Sequence, residues 1–260
     1  MDEFALLVTG ALLHDIGKFV QRANWLERGK ESHEIQGESY LRKKFFGTDF
    51  DMIPLFARYH HEKSLKEFKG DIRRFRNLLE IVCEADSISS TERDTGEVLY
   101  GTPLKSIFSS VRFKEGSSNL YYYPVELEPG RMNYPAEKKE LKYSDYEQVF
   151  RKFDNTLSKI LQSFNPDKLL MVLEKYTSYI PSKMSIENDI SLFDHLKSTA
   201  ALASCLYYYH LDELDGSPDI KNRDEKKYLF VGGDLSGIQE FIYNVTSKGA
   251  LKYLRARSAF

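Results

Sequence analysis

The sequence predicts a mainly α protein whose helices carry a small β insertion and give way, near the end, to the opening of an α/β unit. Three observations support this. Apolar residues recur at spacings of three and four through residues 4–87 and again through 143–211, the period of helices with one buried face. Between those stretches, from Glu97 to Lys139, Gly101, Pro103, Gly116, Pro124, Pro129, Gly130 and Pro135 break the pattern. Finally, a charged run from Asp212 to Lys227 is followed by Tyr228-Leu229-Phe230-Val231 and the turn Gly232-Gly233-Asp234.

With 260 residues, 42% of them apolar and 29% charged, the chain has enough material for one large core and part of a second. No run approaches the roughly 18 apolar residues of a membrane span. Asp2 and Glu3 stand where a secretory leader carries basic residues, so the expected location is cytoplasmic, with no membrane partner. Cys83 and Cys205 lack metal-type spacing and sit on apolar helical stretches, where they read as buried, reduced thiols. The net charge of −2 provides no global field for nucleic acid. Any such contact would use local groups: Lys66, Lys69, Arg73, Arg74 and Arg76, or Lys248, Lys252, Arg255 and Arg257.

The first helix spans 4–15 with a stripe of Phe4, Leu7, Ala11 and His14, and Gly17 ends or turns it. His14 therefore points inward, and Asp15 lies about 100° round the helix. A polar segment, Gln21 to Ser32, leads to a second helix that Ser32 is placed to cap, where His33, Gly37, Tyr40 and Leu41 share a face. Gly37 allows another backbone to approach beside His33. Pro54 suits the first turn of a third helix that carries Phe56 and His60, with His61 next. Asn77 to Ser87 is strongly apolar and brings Asp86 out on its inner face.

In the broken stretch, Ser110 to Phe113 and Leu120 to Leu127 read as short strands. Helices resume at 143–163 and 168–179, and a long one follows at 191–211 that carries His195 inward along with Thr199 and Leu206. Tyr228–Val231 is the strand of a new α/β unit, with a helix starting near Ser236 and Gln239 in capping-box position.

Five of the six histidines, together with Asp15 and Asp86, thus project from inner faces or ends of buried helices; His210 falls outside that pattern and reads as structural. Neutral imidazoles with carboxylates form the donor set of transition-metal sites, and a carboxylate has two oxygens with which to bridge two ions.

His14-Asp15 followed by Gly17-Lys18 resembles the signature of the HD metal-dependent phosphohydrolases. In that superfamily an isolated His normally precedes the pair, on a helix of the type His-x-x-x-[Thr/Val]-Ala. Here that form appears late, as His195 to Ala200, so the arrangement resembles a circular permutation. With Glu84-Ala85-Asp86-Ser87, Ser191-Leu192-Phe193-Asp194-His195 and the run from Gly232-Gly233-Asp234 to Phe241, the chain is similar throughout to one family, the large subunit of type III-A CRISPR effector complexes.

The resemblance implies a permuted HD-type nuclease domain at 1–214, with an inserted lobe at 97–139 and a linker at 215–227. Residues 228–260 would then be the first strand and helices of a ferredoxin-like palm domain, making the chain an amino-terminal fragment. It further implies one or two divalent transition ions, with manganese, nickel or cobalt ahead of magnesium, iron or zinc. His14, Asp15, Asp86 and His195 would hold one ion; bridging Asp15 with His33, His60 and His61 would hold the other. His33 and His61 have a second reading, outside the ligand sphere or on a phosphate.

His14, Asp15 and Lys18 would carry catalysis, Lys18 by stabilising phosphate charge or instead as a salt bridge at a helix end. The implied substrate is single-stranded DNA; the implied partners are guide and target RNA, the other complex subunits and, for a full-length protein, ATP converted to cyclic oligoadenylates. Gly232-Gly233-Asp234 is followed by Leu235, so it is not read as the metal-binding Gly-Gly-Asp-Asp of a cyclase palm. Two other functions stay open: an HD phosphohydrolase acting on nucleotides, and a non-catalytic scaffold that docks subunits.

Overall fold

The computed structural model describes residues 2–24, 31–48, 50–70, 72–90, 101–111, 119–138, 141–161, 164–183, 188–234, 236–237 and 252. The chain divides into two compact units, Met1–Lys227 and Tyr228–Phe260.

The first unit is a helical bundle built round α1 (Glu3–Leu13), which packs on several of the helices that follow it. Leu7, Ala11 and Leu13 are sealed from solvent, each large side chain contributing about 1.5–3 kcal/mol by burial. After a turn at 14–16 the chain re-enters a helix at Gly17, giving α2 (Gly17–Ala23). This corrects the polar segment expected from Gln21: Gln21 and Arg22 are helical and buried. They tolerate burial because Gln21 donates to the Glu31 carbonyl while Arg22 donates to the Lys18 and Lys183 carbonyls and lies over the Tyr146 ring. Gly17 is needed for proximity: a Cβ there would lie 1.9 Å from the His33 carbonyl oxygen, and one on Gly37 would lie 3.3 Å from the Gly17 Cα.

Next come α3 (His33–Phe45), α4 (Ile53–Tyr59, with Pro54 in its first turn), the short α5 (Glu62–Leu65) and α6 (Arg73–Ser89). The last starts a turn earlier than the apolar pattern indicates. Arg74 leaves the expected basic group, since it pairs with Glu3 at 2.6 Å and Asp215 at 2.9 Å.

In the insertion, β1 (Leu104–Lys105) and β3 (Ala136–Glu137) flank β2 (Leu120–Tyr122), all antiparallel, with Leu104 opposite Tyr122 and Leu120 opposite Glu137. The strand expected at 110–113 is not there: Ile107–Ser110 is a 3-10 turn and 112–113 lie outside the described residues. The Ser109 hydroxyl takes the place of a ladder partner, accepting from the Leu120 amide at 2.9 Å.

Three helices then complete the bundle: α7 (Tyr143–Ile160), α8 (Pro166–Thr177) and α9 (Leu192–Tyr209). Asn165 and Ser191 cap the last two, accepting from the Asp167 and Asp194 amides. Cys83 is buried as expected, but Cys205 is exposed, one turn beyond the exposed Ala201 on the solvent side of α9.

The charged run after α9 packs on the bundle. Leu214 and Ile220 are buried, Arg223 donates to Glu84 at 2.7 Å, Asn77 donates to the Leu214 carbonyl at 2.8 Å, and the Lys227 ammonium is satisfied by the Asp219 and Ile220 carbonyls.

In the second unit, Leu229, Phe230 and Val231 are 86–87% exposed. Among the described residues, 228–234 form no strand, although the sequence pattern predicts one. The helix expected near Ser236 and the basic positions Lys248, Arg255 and Arg257 lie outside the described residues. No helix among those described is long and apolar enough to cross a membrane.

Candidate metal centre

The end of α1, the start of α3, the end of α4, the last turns of α6 and the first turn of α9 converge on Asp15. Its two oxygens face different donor sets. Oδ2 lies 3.1 Å from His195 Nε2 and 3.7 Å from His14 Nε2; Asp86 Oδ1 closes that set at 3.1 Å from His195 and 3.5 Å from His14. Oδ1 lies 3.2 Å from His33 Nε2 and 3.4 Å from His60 Nε2, and His61 Nε2 stands 3.2 Å from His33 Nε2. Within each of the groups His14, Asp15, Asp86, His195 and His33, His60, His61, the donor atoms lie within 4.8 Å of one another.

Donors about 2.1 Å from a shared ion stand about 3.0–3.4 Å apart, so most of these separations match the edges of a coordination polyhedron. The tautomers fit as well. His14 Nδ1 donates to the Ala11 carbonyl at 2.7 Å and His60 Nδ1 to the Ala57 carbonyl at 2.9 Å, which leaves each Nε2 lone pair facing the cluster. The Nδ1 of His195 meets the Ser89 hydroxyl at 3.3 Å, which in turn contacts Thr199 at 2.8 Å. His14 Nε2 and Asp15 Oδ1 are buried without hydrogen-bond partners, which is costly unless something else satisfies them. This donor set is that of a divalent-metal site.

The electrostatics keep the carboxylates charged. Burial alone would raise Asp15; the Lys18 ammonium, paired to its Oδ2, outweighs it, with His14, the His195 hydrogen bond to Oδ2 and the His33 ring beside Oδ1, and holds the carboxyl well below its usual range. Asp86 is likewise held down against its burial by His14 and His195. Burial pushes the His14 imidazole down, leaving it neutral and able to donate its lone pair. His60 and His195 go the other way, since the Asp15 carboxylate beside them, and for His195 also Asp86, outweighs desolvation. His61 is lowered to about 3 by burial and by the neighbouring His60.

All seven residues singled out by the sequence meet here, and Lys18 contacts one of them. His210 lies apart, at the end of α9, with Nδ1 3.1 Å from Glu213. Sequence reasoning did not single out Glu34, which faces His33 and His61 at 3.6 Å, or Ser89 behind His195. Glu34 follows a candidate ligand directly and Ser89 is three residues beyond another, so adjacency was the available signal.

Comparison with known proteins agrees with this geometry. Residues 2–91 match the HD domain family, which takes in His14 through Asp86 but leaves out His195. Residues 227–260 match Csm1 subunit domain B. A single-strand-specific deoxyribonuclease Cas10/Csm1 of subtype III-A from Thermococcus onnurineus is 36% identical across 100% of this chain. The chain is a homologue of the Cas10/Csm1 proteins. It spans about a third of the length of the curated relatives it matches, 34% in that case and 37% for the Enterococcus italicus Cas10/Csm1, which is 36% identical over 98% of this chain. A crystal structure of a Csm1–Csm4 cassette in complex with cA4 aligns over 100% of this chain and 34% of its own, with a TM-score of 0.70 and 32% identity. These relatives are similar to this chain in sequence, and the solved Csm1 structure is similar to it in fold as well.

Proposed function

We propose that this chain is the nuclease part of a type III-A effector large subunit and hydrolyses phosphodiester bonds of single-stranded DNA. The observation that supports this most is the placement of Asp15, one oxygen toward each of two histidine-rich donor sets. On this reading residues 1–214 are the nuclease domain with its insertion at 97–139, 215–227 join it to the next unit, and 228–260 begin a palm domain. His14, Asp15, Asp86 and His195 hold an inner ion; Asp15, His33, His60 and His61 hold an outer one. Manganese, nickel or cobalt suits this mixed imidazole and carboxylate set.

Bound divalent ions would supply Lewis acidity, making hydroxide available near neutral pH and taking up phosphate charge. The chain's own groups do the rest. Asp15 and Asp86 stay ionised and fix the donor geometry. The backbone carbonyls behind His14 and His60 orient their rings, and the buried walls exclude bulk water from the inner set. Lys18, partly exposed beside Asp15, is placed to meet a phosphate oxygen. The relatives' names support single-stranded DNA as substrate, and the Csm1–Csm4 structure supports complex subunits as partners. Guide and target RNA would act through that complex, ATP through palm domains of a longer protein, and the setting would be cytoplasmic.

The test is DNA cleavage by the purified chain with manganese, nickel or cobalt, on single- and double-stranded substrates. Single strands are expected to be cut, with activity abolished by the joint His14→Ala and Asp15→Ala change. Cleavage undiminished in that variant overturns the proposal; a wild-type chain that takes up no metal and stays inactive supports the scaffold function instead.

A further inference from the structure

Four imidazoles of the site differ in what holds the nitrogen facing away from it. His14 and His60 end helices, where the carbonyl three residues earlier is available, and both use it. His195 uses the Ser89 hydroxyl. His33 begins its helix, so no preceding helical turn offers it a carbonyl. The group facing its Nδ1 is the Glu34 carboxylate, with Oε2 at 3.6 Å. The same carboxylate reaches a second element: Oε1 stands 3.6 Å from His61 Nε2, in the segment after α4. Glu34 Oε2 is itself buried and accepts no hydrogen bond among the described residues. Around this carboxylate stand the His33 and His61 rings and, at the start of its own helix, Ser32.

We propose that Glu34 is a positioning residue for the outer ion: it orients His33 from the Nδ1 side, so that Nε2 points at Asp15 and His60. The inference rests on the two-ion reading given above. It is specific to the outer set, because among the described residues Glu34 faces His33 and His61 and not His14 or His195. Carboxylates behind metal-bound histidines typically change metal affinity by about 10–100-fold.

The experiment is manganese titration of the whole chain, with metal content measured after desalting and the electron paramagnetic resonance spectrum recorded, for wild type, Glu34→Gln and Glu34→Asp. Wild type is expected to take two ions and give a broad, spin-coupled signal. Glu34→Gln is expected to keep the tighter ion, lose about 10–100-fold in affinity for the other and show the six-line signal of isolated manganese, at an unchanged melting temperature. Glu34→Asp is expected to restore the coupled signal. Two ions bound by Glu34→Gln with wild-type affinities would overturn this inference and leave the proposed function standing. Loss of both ions with a lowered melting temperature in both variants would overturn it too, by showing a general structural role. A wild type that binds no manganese overturns the proposed function together with it.

Discussion

His14, Asp15, Asp86 and His195 are sealed in the bundle, whereas His33 and His61 keep 20% and 39% of their side chains exposed. The inner set comes from the turn after α1, the last turns of α6 and the first turn of α9, so tertiary packing brings it together, and its rings are oriented by the Ala11 carbonyl and the Ser89 hydroxyl. The outer set comes from one helix start, one helix end and the segment that follows it; His60 is as buried as the inner rings and carbonyl-bound like His14, while Glu34 faces the other two rings. A buried set of this kind favours tight metal retention; a half-exposed one leaves room for a phosphate to approach. Asp15 faces both sets, and His61 Nδ1 also stands 3.6 Å from Asp86 Oδ2; each expected effect below turns on how far the sets are divided.

The largest effect is expected where the division vanishes. Asp15→Asn keeps the shape but removes the charge that faces both sets and leaves Lys18 without its partner. Both ions are expected to be lost and strand cleavage to fall by on the order of 10³-fold or more. Metal analysis with a cleavage assay checks this; a variant that keeps one ion at wild-type affinity would show that the sets are independent.

A smaller effect is expected from Gly17→Ala. The added Cβ would lie 1.9 Å from the His33 carbonyl oxygen, a backbone atom that yields only if α2 and α3 separate. Overpacking of this sort costs about 1–3 kcal/mol, which lowers the melting temperature of a unit this size by on the order of 5 °C. Since His33 moves and His14 and His195 do not, outer-ion affinity should fall more than inner-ion affinity. A melting temperature at or above wild type would refute the close-packing role of Gly17.

What the sequence revealed follows the same division. The helices were legible because their apolar spacing is a local property, and the late His-x-x-x-Thr-Ala phrase pointed to His195 as a neighbour of His14, across 180 residues. Three kinds of feature were not legible. Arg22 looks like loop material until Tyr146 and the Lys183 carbonyl, more than 100 residues away, come to enclose it. The strand pairing of the insertion depends on which short segment finds Leu120, a contest that the Ser109 hydroxyl decides. The charged run after α9 looks like a linker by composition, yet its few apolar residues and its carbonyls are what pack. In each case what decides lies outside the segment's own local pattern, so hydrophobic periodicity carries no record of it.

Ser89→Ala should have the smallest effect and is the most selective for the inner set. The hydroxyl stands 3.3 Å from His195 Nδ1 and 2.8 Å from Thr199, and bonds the Asp86 carbonyl at 3.0 Å, so it ties one candidate ligand to the backbone of another. Removing it leaves His195 free to rotate or change tautomer while Asp15, His33 and His60 keep their contacts. Inner-ion affinity should drop by about 10-fold, with outer-ion affinity and melting temperature near wild type. This is the counterpart of the Glu34 experiment: calorimetric manganese titration of the two variants should weaken opposite sites. If Ser89→Ala instead weakens both ions equally, Asp15 transmits the disturbance and the two sets behave as one cooperative centre.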